Sequence, residues 1–251
     1  MTDFPKFKFA TSKEYRNRAW AALDSKWGLM IGATVAYYAI IIAVSSIFIR
    51  MVAGPAPSNI ADQEAMISYQ IWSNLATLVA SFLLLPLGYG FTGMFFDLKR
   101  AWGTKFSNLF EGYGTMIAPV YGTLLLQFLY TLLWSLLFII PGIIKSYSYA
   151  MTIFCMKEDP QYGIYNEAIE RSMMIMEGNK MRLFLLDLSF IGWFILGLIP
   201  CGLGLFFVIP YWQTARMEFY EDLMEELGYQ EECEKQLEQQ KLKMQEDKET
   251  N

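Results

Sequence analysis

The chain has 251 residues, of which 54% are hydrophobic and 16% aromatic, with a formal net charge of −5 at pH 7 and no histidine. The lack of histidine removes the commonest general base and the commonest zinc ligand. Three widely separated cysteines argue against a disulfide scaffold, and the uncharged runs are too long for a soluble domain.

Residues 1–27 form a basic N-terminal segment that contains a predicted amphipathic helix. Thr11 and Glu14 match the T-x-x-E capping box. Three apolar residues at intervals of four share one face of this helix: Tyr15, Ala19 and Leu23. Such a helix either lies on an anionic leaflet or is a solvated lead-in to the first span. Mostly polar residues precede the first apolar run, so we expect no cleavable signal peptide.

Uncharged apolar runs predict about six transmembrane helices, since about 20 apolar residues cross a hydrocarbon core of about 30 Å. The predicted spans are residues 28–49, 69–95, 118–140, 143–156, 183–199 and 203–215. One helix from Ala118 to Met156 would be roughly 58 Å long, about twice the core thickness. The chain is therefore expected to turn at Pro141-Gly142. The predicted fold class is all-α, a polytopic membrane helix bundle of three hairpins over residues 28–216.

Basic residues predict the orientation of this bundle. With both termini inside (N-in/C-in), 18 of the 20 lysines and arginines fall in inner segments, which leaves Arg50 and Lys145 at or near the outside. An inner surface helix is predicted over residues 165–177. It either couples to a cytoplasmic partner or caps the bundle at the interface. Residues 217–251 are strongly acidic and are predicted to be a solvated cytoplasmic tail.

A glycine motif, GYGFTG at residues 88–93, matches GxGxxG. A nucleotide site needs that loop between a strand and a helix, whereas here it lies inside the second predicted span. Small residues that permit close helix packing are the better interpretation.

Polar residues within or beside the predicted spans are the candidate functional sites. The candidate set is Lys145, Tyr147, Tyr149, Asp187, Gln213 and Arg216. Lys145 either extends to the outer interface, pairs with another helix, or binds an anionic ligand beside the two tyrosines. Asp187 either anchors the structure or takes part in proton or cation movement. No catalytic residue, cofactor site or metal site is predicted.

The sequence contains four blocks that together resemble the bacterial "domain of unknown function 975" family. In chain order they are PGIIKSYSYAM, NEAIERSM with EGNK, FLLDLSFIGW and PYWQTARMEFY. With AWAALDSKWGLMI near the N-terminus, the resemblance covers nearly all of residues 12–223. It implies a multi-pass plasma-membrane protein, mainly of Gram-positive bacteria. The pattern is similar to membrane regions that accompany some glycerophosphodiester phosphodiesterases. The resemblance implies no activity and no catalytic residues.

Three classes of function remain open. The favoured hypothesis is a non-enzymatic integral membrane factor that binds a lipid, peptide or partner protein, as in envelope maintenance or toxin immunity. The alternative is a small transporter or transporter subunit, which requires Lys145 and Asp187 to face a shared water-filled cavity. An intramembrane enzyme is the weakest hypothesis, because the sequence offers no paired carboxylates and no nucleophile–base pair. The expected partners are the lipid bilayer and a membrane or cytoplasmic protein. Neither a cofactor nor nucleic acid is expected.

Overall fold

A computed structural model describes residues 8–59, 62–100, 103–114, 116–160 and 165–249, with side chains through residue 228. Over these residues the chain forms helices and no strands, which confirms the all-α prediction. The helices are α1 (Ser12–Leu23), α2 (Trp27–Val52), α3 (Gln63–Leu83), α4 (Leu85–Lys99), α5 (Ile117–Leu137), α6 (Ile139–Ser148), α7 (Thr152–Glu158), α8 (Asn166–Ile175), α9 (Lys180–Leu188), α10 (Ile191–Leu198) and α11 (Leu205–Glu249). A 3₁₀ helix, Phe106–Tyr113, lies between α4 and α5.

Several helices are long and apolar enough to cross a membrane. Within the described residues the four stretches that meet this test are Trp27–Val52, Ile117–Leu137, Ile139–Glu158 and Lys180–Leu198. The third stretch combines α6 with α7, and the fourth combines α9 with α10. Helices α3 and α4 meet the test together but bend by 48° where they join. The structure therefore has four candidate spans, or five if the bent pair crosses as one.

The outer surface of these helices is apolar. Five consecutive side chains at the α5–α6 turn, residues 136–140, are between 61% and 78% exposed. In the most apolar 18-residue stretch of α2, no residue is buried inside the protein. Soluble proteins rarely expose so much contiguous apolar surface. The surface is compatible with a membrane protein, in which lipid would cover it.

The second predicted span is divided into two helices. The sequence predicts one span over residues 69–95, whereas the structure breaks it at Leu84. Pro86 lies in the first turn of α4, where a backbone N–H would have no partner inside the helix. The glycines that follow allow α4 to touch the 3₁₀ helix, because a Cβ on Gly90 would overlap the Leu109 carbonyl group. The packing interpretation of GYGFTG is thus confirmed.

The turn predicted at Pro141-Gly142 lies three residues earlier, at Phe138, whose backbone is extended (φ −157°, ψ 147°). Pro141 instead lies in the first turn of α6, where proline is tolerated because its missing N–H is not needed there. Gly142 is required for a different reason. A Cβ at this position would overlap the Ser135 side chain, so the glycine allows α5 and α6 to pack closely.

Helix α8 corresponds to the predicted inner helix over residues 165–177. Ala168 and Ile169, on its predicted apolar face, are buried. The Ser172 hydroxyl donates to the Ser148 carbonyl at 2.8 Å and accepts the Met151 N–H at 3.2 Å. These two backbone groups lie at the break between α6 and α7. Helix α8 therefore completes the hydrogen bonding that the break leaves open.

We expect Ser172→Ala to lower the free energy of unfolding by about 1–3 kcal/mol, because the variant leaves a buried N–H and a buried C=O without their partner. Denaturant unfolding followed by circular dichroism measures the change. Ser146→Ala is the matched control, since Ser146 is exposed and donates only to the Ile143 carbonyl of its own helix. Equal stability of the two variants would contradict the role assigned to Ser172.

Candidate functional site

A cavity of about 570 Å³ lies between seven helices, α2, α3, α4, α5, α7, α10 and α11. Its volume falls within the range of about 300–1,000 Å³ that is usual for small-molecule sites. Most of its lining side chains are apolar. The lining residues with polar side-chain groups are Tyr37, Tyr38, Ser81, Thr92, Trp212 and Gln213.

Four of the polar groups that line this cavity have no hydrogen-bond partner among the residues that the structure describes. The hydroxyls of Tyr37, Tyr38 and Thr92 and the Gln213 amide make no hydrogen bond with any other described residue. All four side chains are partly exposed, so their polar groups are accessible to a ligand that enters the cavity. None of the described lining side chains carries a charge. The arrangement suits a ligand that is mostly apolar, uncharged and able to form hydrogen bonds.

Three of the predicted site residues meet around Trp212, which forms part of the cavity wall. The Trp212 indole N–H donates to Asp187 Oδ1 at 2.7 Å. The Arg216 guanidinium lies over the Trp212 ring, 4.8 Å from its centroid, and Arg216 Nε is 3.8 Å from Asp187 Oδ1. The Tyr147 side chain interacts electrostatically with the same Asp187 carboxylate. Asp187 is therefore engaged with Trp212 and is not among the residues that line the cavity.

The other three predicted residues lie apart from this cluster. Lys145 Nζ is 5.0 Å from the centroid of the Trp134 ring on α5, a cation–π contact. Tyr149 is buried, and its carbonyl oxygen accepts hydrogen bonds from the Thr152 hydroxyl and the Gln127 amide. Gln213 lines the cavity. The structure therefore groups Tyr147, Asp187 and Arg216, and it separates Lys145 from them.

Asp222 on α11 attaches the N-terminal helix to the bundle. Its carboxylate accepts from Arg18 Nη1 at 2.6 Å, from the Tyr15 hydroxyl at 2.8 Å and from the Ala10 N–H at 3.1 Å. Burial raises the pKa of the Tyr15 phenol, and the hydrogen bond to Asp222 acts in the same direction. The predicted capping box forms, and the predicted apolar face is buried. That face packs against protein, in the same core as residues of α11.

Two further carboxylates of α11 bind the basic end of α4. Glu218 pairs with Lys99 at 2.7 Å, and Glu221 Oε1 lies 3.2 Å from Arg100 Nε. Arg100 also pairs with Glu158 of α7 at 2.9 Å. Burial raises the pKa of Glu221, although the Arg100 and Lys99 charges oppose that shift. These contacts gather α1, α4, α7 and α11 at one end of the bundle.

The predicted start of the acidic tail at residue 217 is too early for a solvated segment. Glu218 and Asp222 are buried, as are the apolar residues between and beside them: Met217, Phe219, Tyr220 and Leu223. Acidity alone predicts exposure, but here the carboxylates are neutralised by cations from distant parts of the chain. The bundle therefore continues through Leu223.

A second polar cluster lies where α4, the 3₁₀ helix and α7 meet. Lys157 Nζ is 3.0 Å from Asp97 Oδ1 and 2.7 Å from Glu111 Oε2. The Asn108 amide donates to Asp97 Oδ2 at 2.7 Å. Lys157 and Asp97 are both buried, and the cluster borders a cleft of about 470 Å³. Because each charge in this cleft is paired within the protein, the cavity with unpartnered groups is the stronger candidate site.

The sequence did not predict four residues that line the cavity: Tyr37, Tyr38, Thr92 and Trp212. A signal for the tyrosine pair was present, since tyrosine is usually enriched at the ends of a span and these two lie in the middle of a long apolar run. Among the described residues, no group of three or more histidine, cysteine, aspartate or glutamate side chains is arranged to hold a metal ion.

Comparison with known proteins finds one family. A family model described as "Protein of unknown function (DUF975)" matches residues 34–226, a range that contains every described residue lining the cavity. No curated protein matches the chain, and no solved structure does.

We expect Asp222→Ala to release α1 from the bundle, because the variant removes the acceptor for three donors at once. The backbone amides of Ser12–Leu23 should exchange with deuterium at least about tenfold faster, as expected for a loss of roughly 1.4 kcal/mol or more. Hydrogen–deuterium exchange with mass spectrometry measures this rate. Glu225→Ala, at an exposed acidic residue one turn away, should leave the exchange of α1 unchanged. Unchanged protection of α1 in Asp222→Ala would refute the anchoring role.

Proposed function

The chain belongs to the family of proteins of unknown function DUF975, and we propose that it is a non-enzymatic integral membrane protein that binds an uncharged amphiphile, such as a lipid, between its helices. The observation that carries this proposal is the cavity of about 570 Å³ with its mostly apolar lining. Four polar groups in that lining have no hydrogen-bond partner among the described residues, and none of the described lining side chains is charged.

The proposed topology has six spans in the bacterial plasma membrane, with both termini inside the cell. The four candidate spans and the bent α3–α4 pair supply five of them. The first eleven residues of α11, through Ala215, would supply the sixth. Ion pairs join basic residues of α1 and α4 to acids of α7 and α11 at one end of the bundle, as expected if these segments share the inner side.

The depth of the polar groups supports an intramembrane ligand. Tyr37 is nine residues beyond Gly28, or about 14 Å along α2, which places it near the middle of a core of about 30 Å. A hydroxyl group at that depth is costly unless it finds a hydrogen-bond partner. A lipid whose polar group reaches Tyr37, Tyr38, Thr92 and Gln213 would provide partners, and its acyl chain would contact the apolar wall.

The contacts favour binding over transport. The transport alternative needs Lys145 and Asp187 in one cavity, but neither residue lines the cavity of about 570 Å³. Lys145 is stacked on Trp134, and Asp187 accepts the Trp212 indole N–H. Both polar groups therefore have partners of their own, which is the expected situation for structural charges in a membrane.

We expect Gly88→Leu to abolish ligand retention by filling the cavity. A Cβ at Gly88 would meet the Tyr37 hydroxyl at 3.7 Å, an ordinary contact, so the variant should fold. Gln213→Leu should weaken retention about fivefold, because it removes a hydrogen bond worth about 1 kcal/mol. Native mass spectrometry of the gently solubilised protein, with identification of the released molecule, measures both effects.

Gly192→Leu is the matched control, since Gly192 is exposed and a Cβ there meets no atom within 4 Å. Retention of an uncharged lipid by the wild type and this control, but not by Gly88→Leu, would support the proposal. A wild-type chain that retains no ligand would refute it. A stoichiometric partner polypeptide in place of a lipid would favour the protein-binding form of the hypothesis instead.

A further inference from the structure

A groove on the outside of the bundle is separate from the cavity. It has a volume of about 500 Å³ and is lined mainly by five aromatic side chains from α1, α2, α10 and α11: Trp20, Trp27, Trp193, Phe207 and Tyr211. We call it the Trp groove. Trp20 and Phe207 are more than half exposed, at 56% and 57%, so the groove faces outward.

The aromatic rings of the Trp groove hold one another in place. The Trp20 ring lies edge-on to Trp27 at 5.0 Å and to Tyr211 at 5.5 Å. The Trp193 ring lies edge-on to Tyr211 at 5.7 Å from the other side. Such edge-to-face pairs prefer defined geometries, so the walls of the groove are preorganised.

Two glycines also line the Trp groove, together with Leu196 and Val208. Gly197 and Gly204 approach so closely that a Cβ on Gly204 would come within 2.7 Å of the Gly197 Cα atom. With no side chain on either residue, the space between the aromatic walls stays open. Because the lining is aromatic, aliphatic or glycine, the groove suits an apolar chain.

A cation on α1 lies near Tyr211, one wall of the Trp groove. Arg16 is one helical turn before Trp20, so the two side chains share a face of α1. Arg16 is also within electrostatic range of Tyr211. It makes no ion pair with any described residue, whereas Arg18 is paired with Asp222. Residues 11–27 hold four basic and two acidic residues, for a net charge of +2.

We propose that the Trp groove binds a single anionic phospholipid, with an acyl chain between the aromatic rings and the phosphate at Arg16. The inference rests on the proposed membrane location but not on the cavity ligand. Charge complementarity selects an anionic lipid, because Arg16 makes no ion pair with any described residue and lies beside an apolar groove. Tryptophan and tyrosine suit the level of the headgroups, where an apolar ring body meets a polar surface.

The test is native mass spectrometry of the full chain after incubation with equimolar phosphatidylglycerol and phosphatidylcholine. We expect the wild type to retain one phosphatidylglycerol molecule with a preference of about fivefold over phosphatidylcholine, the size expected for one basic residue near an anionic headgroup. Arg16→Gln should bring the two lipids close to parity. Trp20→Ala should lower the retention of both, because it removes one wall of the groove.

Arg50→Gln is the matched control, because it removes the same charge from an exposed arginine at the far end of α2. It should keep the preference for phosphatidylglycerol. Loss of that preference in Arg50→Gln, parity in the wild type, or a dimer that excludes lipid from the groove would each overturn the proposed site.

Alkaline carbonate extraction of membranes separates this failure from a failure of the proposed function. Release of the wild-type chain from the membrane would overturn both the proposed function and the lipid site. A chain that stays in the membrane but shows no lipid preference would overturn the lipid site alone. Retention of the uncharged cavity ligand is expected to be unaffected by Arg16→Gln, since Arg16 does not line the cavity.

Discussion

Three carboxylates on less than two turns of α11 hold the charged end of this bundle together. Glu218 binds Lys99, Glu221 lies beside Arg100, and Asp222 binds Arg18 together with two other donors of the N-terminal segment. Each contact joins parts of the chain that are far apart in sequence. Because a buried carboxylate is tolerated only when it is paired, the three acids fix the positions of α1 and α4 relative to α11. Through the pair of Arg100 with Glu158, α7 joins the same end of the bundle.

Close approach of backbones is a second means of assembly in this bundle. Gly90 touches the 3₁₀ helix, Gly142 lies against Ser135, and Gly197 meets Gly204. Small residues of this kind allow helices to approach closely where lipid offers no hydrophobic drive for association. The same device produces two results. Gly142 allows the close α5–α6 contact, and Gly197 and Gly204 add no side chains to the Trp groove that they line.

The sequence was informative where one helix determines its own pattern. The apolar runs, the capping box of Thr11 and Glu14 and the packing role of GYGFTG depend on local spacing, and they could be predicted. The break at Leu84 and the turn at Phe138 depend on which neighbour each helix contacts, so local rules misplaced them. The burial of Glu218 could not be predicted either, since its partner Lys99 is 119 residues away. The cavity was missed for the same reason, because its lining comes from seven helices.

The carboxylates of α11 also have a consequence for biosynthesis. Lys99 leaves the ribosome 119 residues before Glu218, an interval of about 6–24 s at about 5–20 residues per second. During that time Arg18, Lys99 and Arg100 are without their α11 partners. In membrane proteins, basic residues of this kind orient the nascent helices. The arrival of α11 then neutralises them. In the proposed membrane topology, the same cations would act first as topology signals and afterwards as structural contacts. Pairing with α11 would then fix an orientation that the earlier helices have already taken.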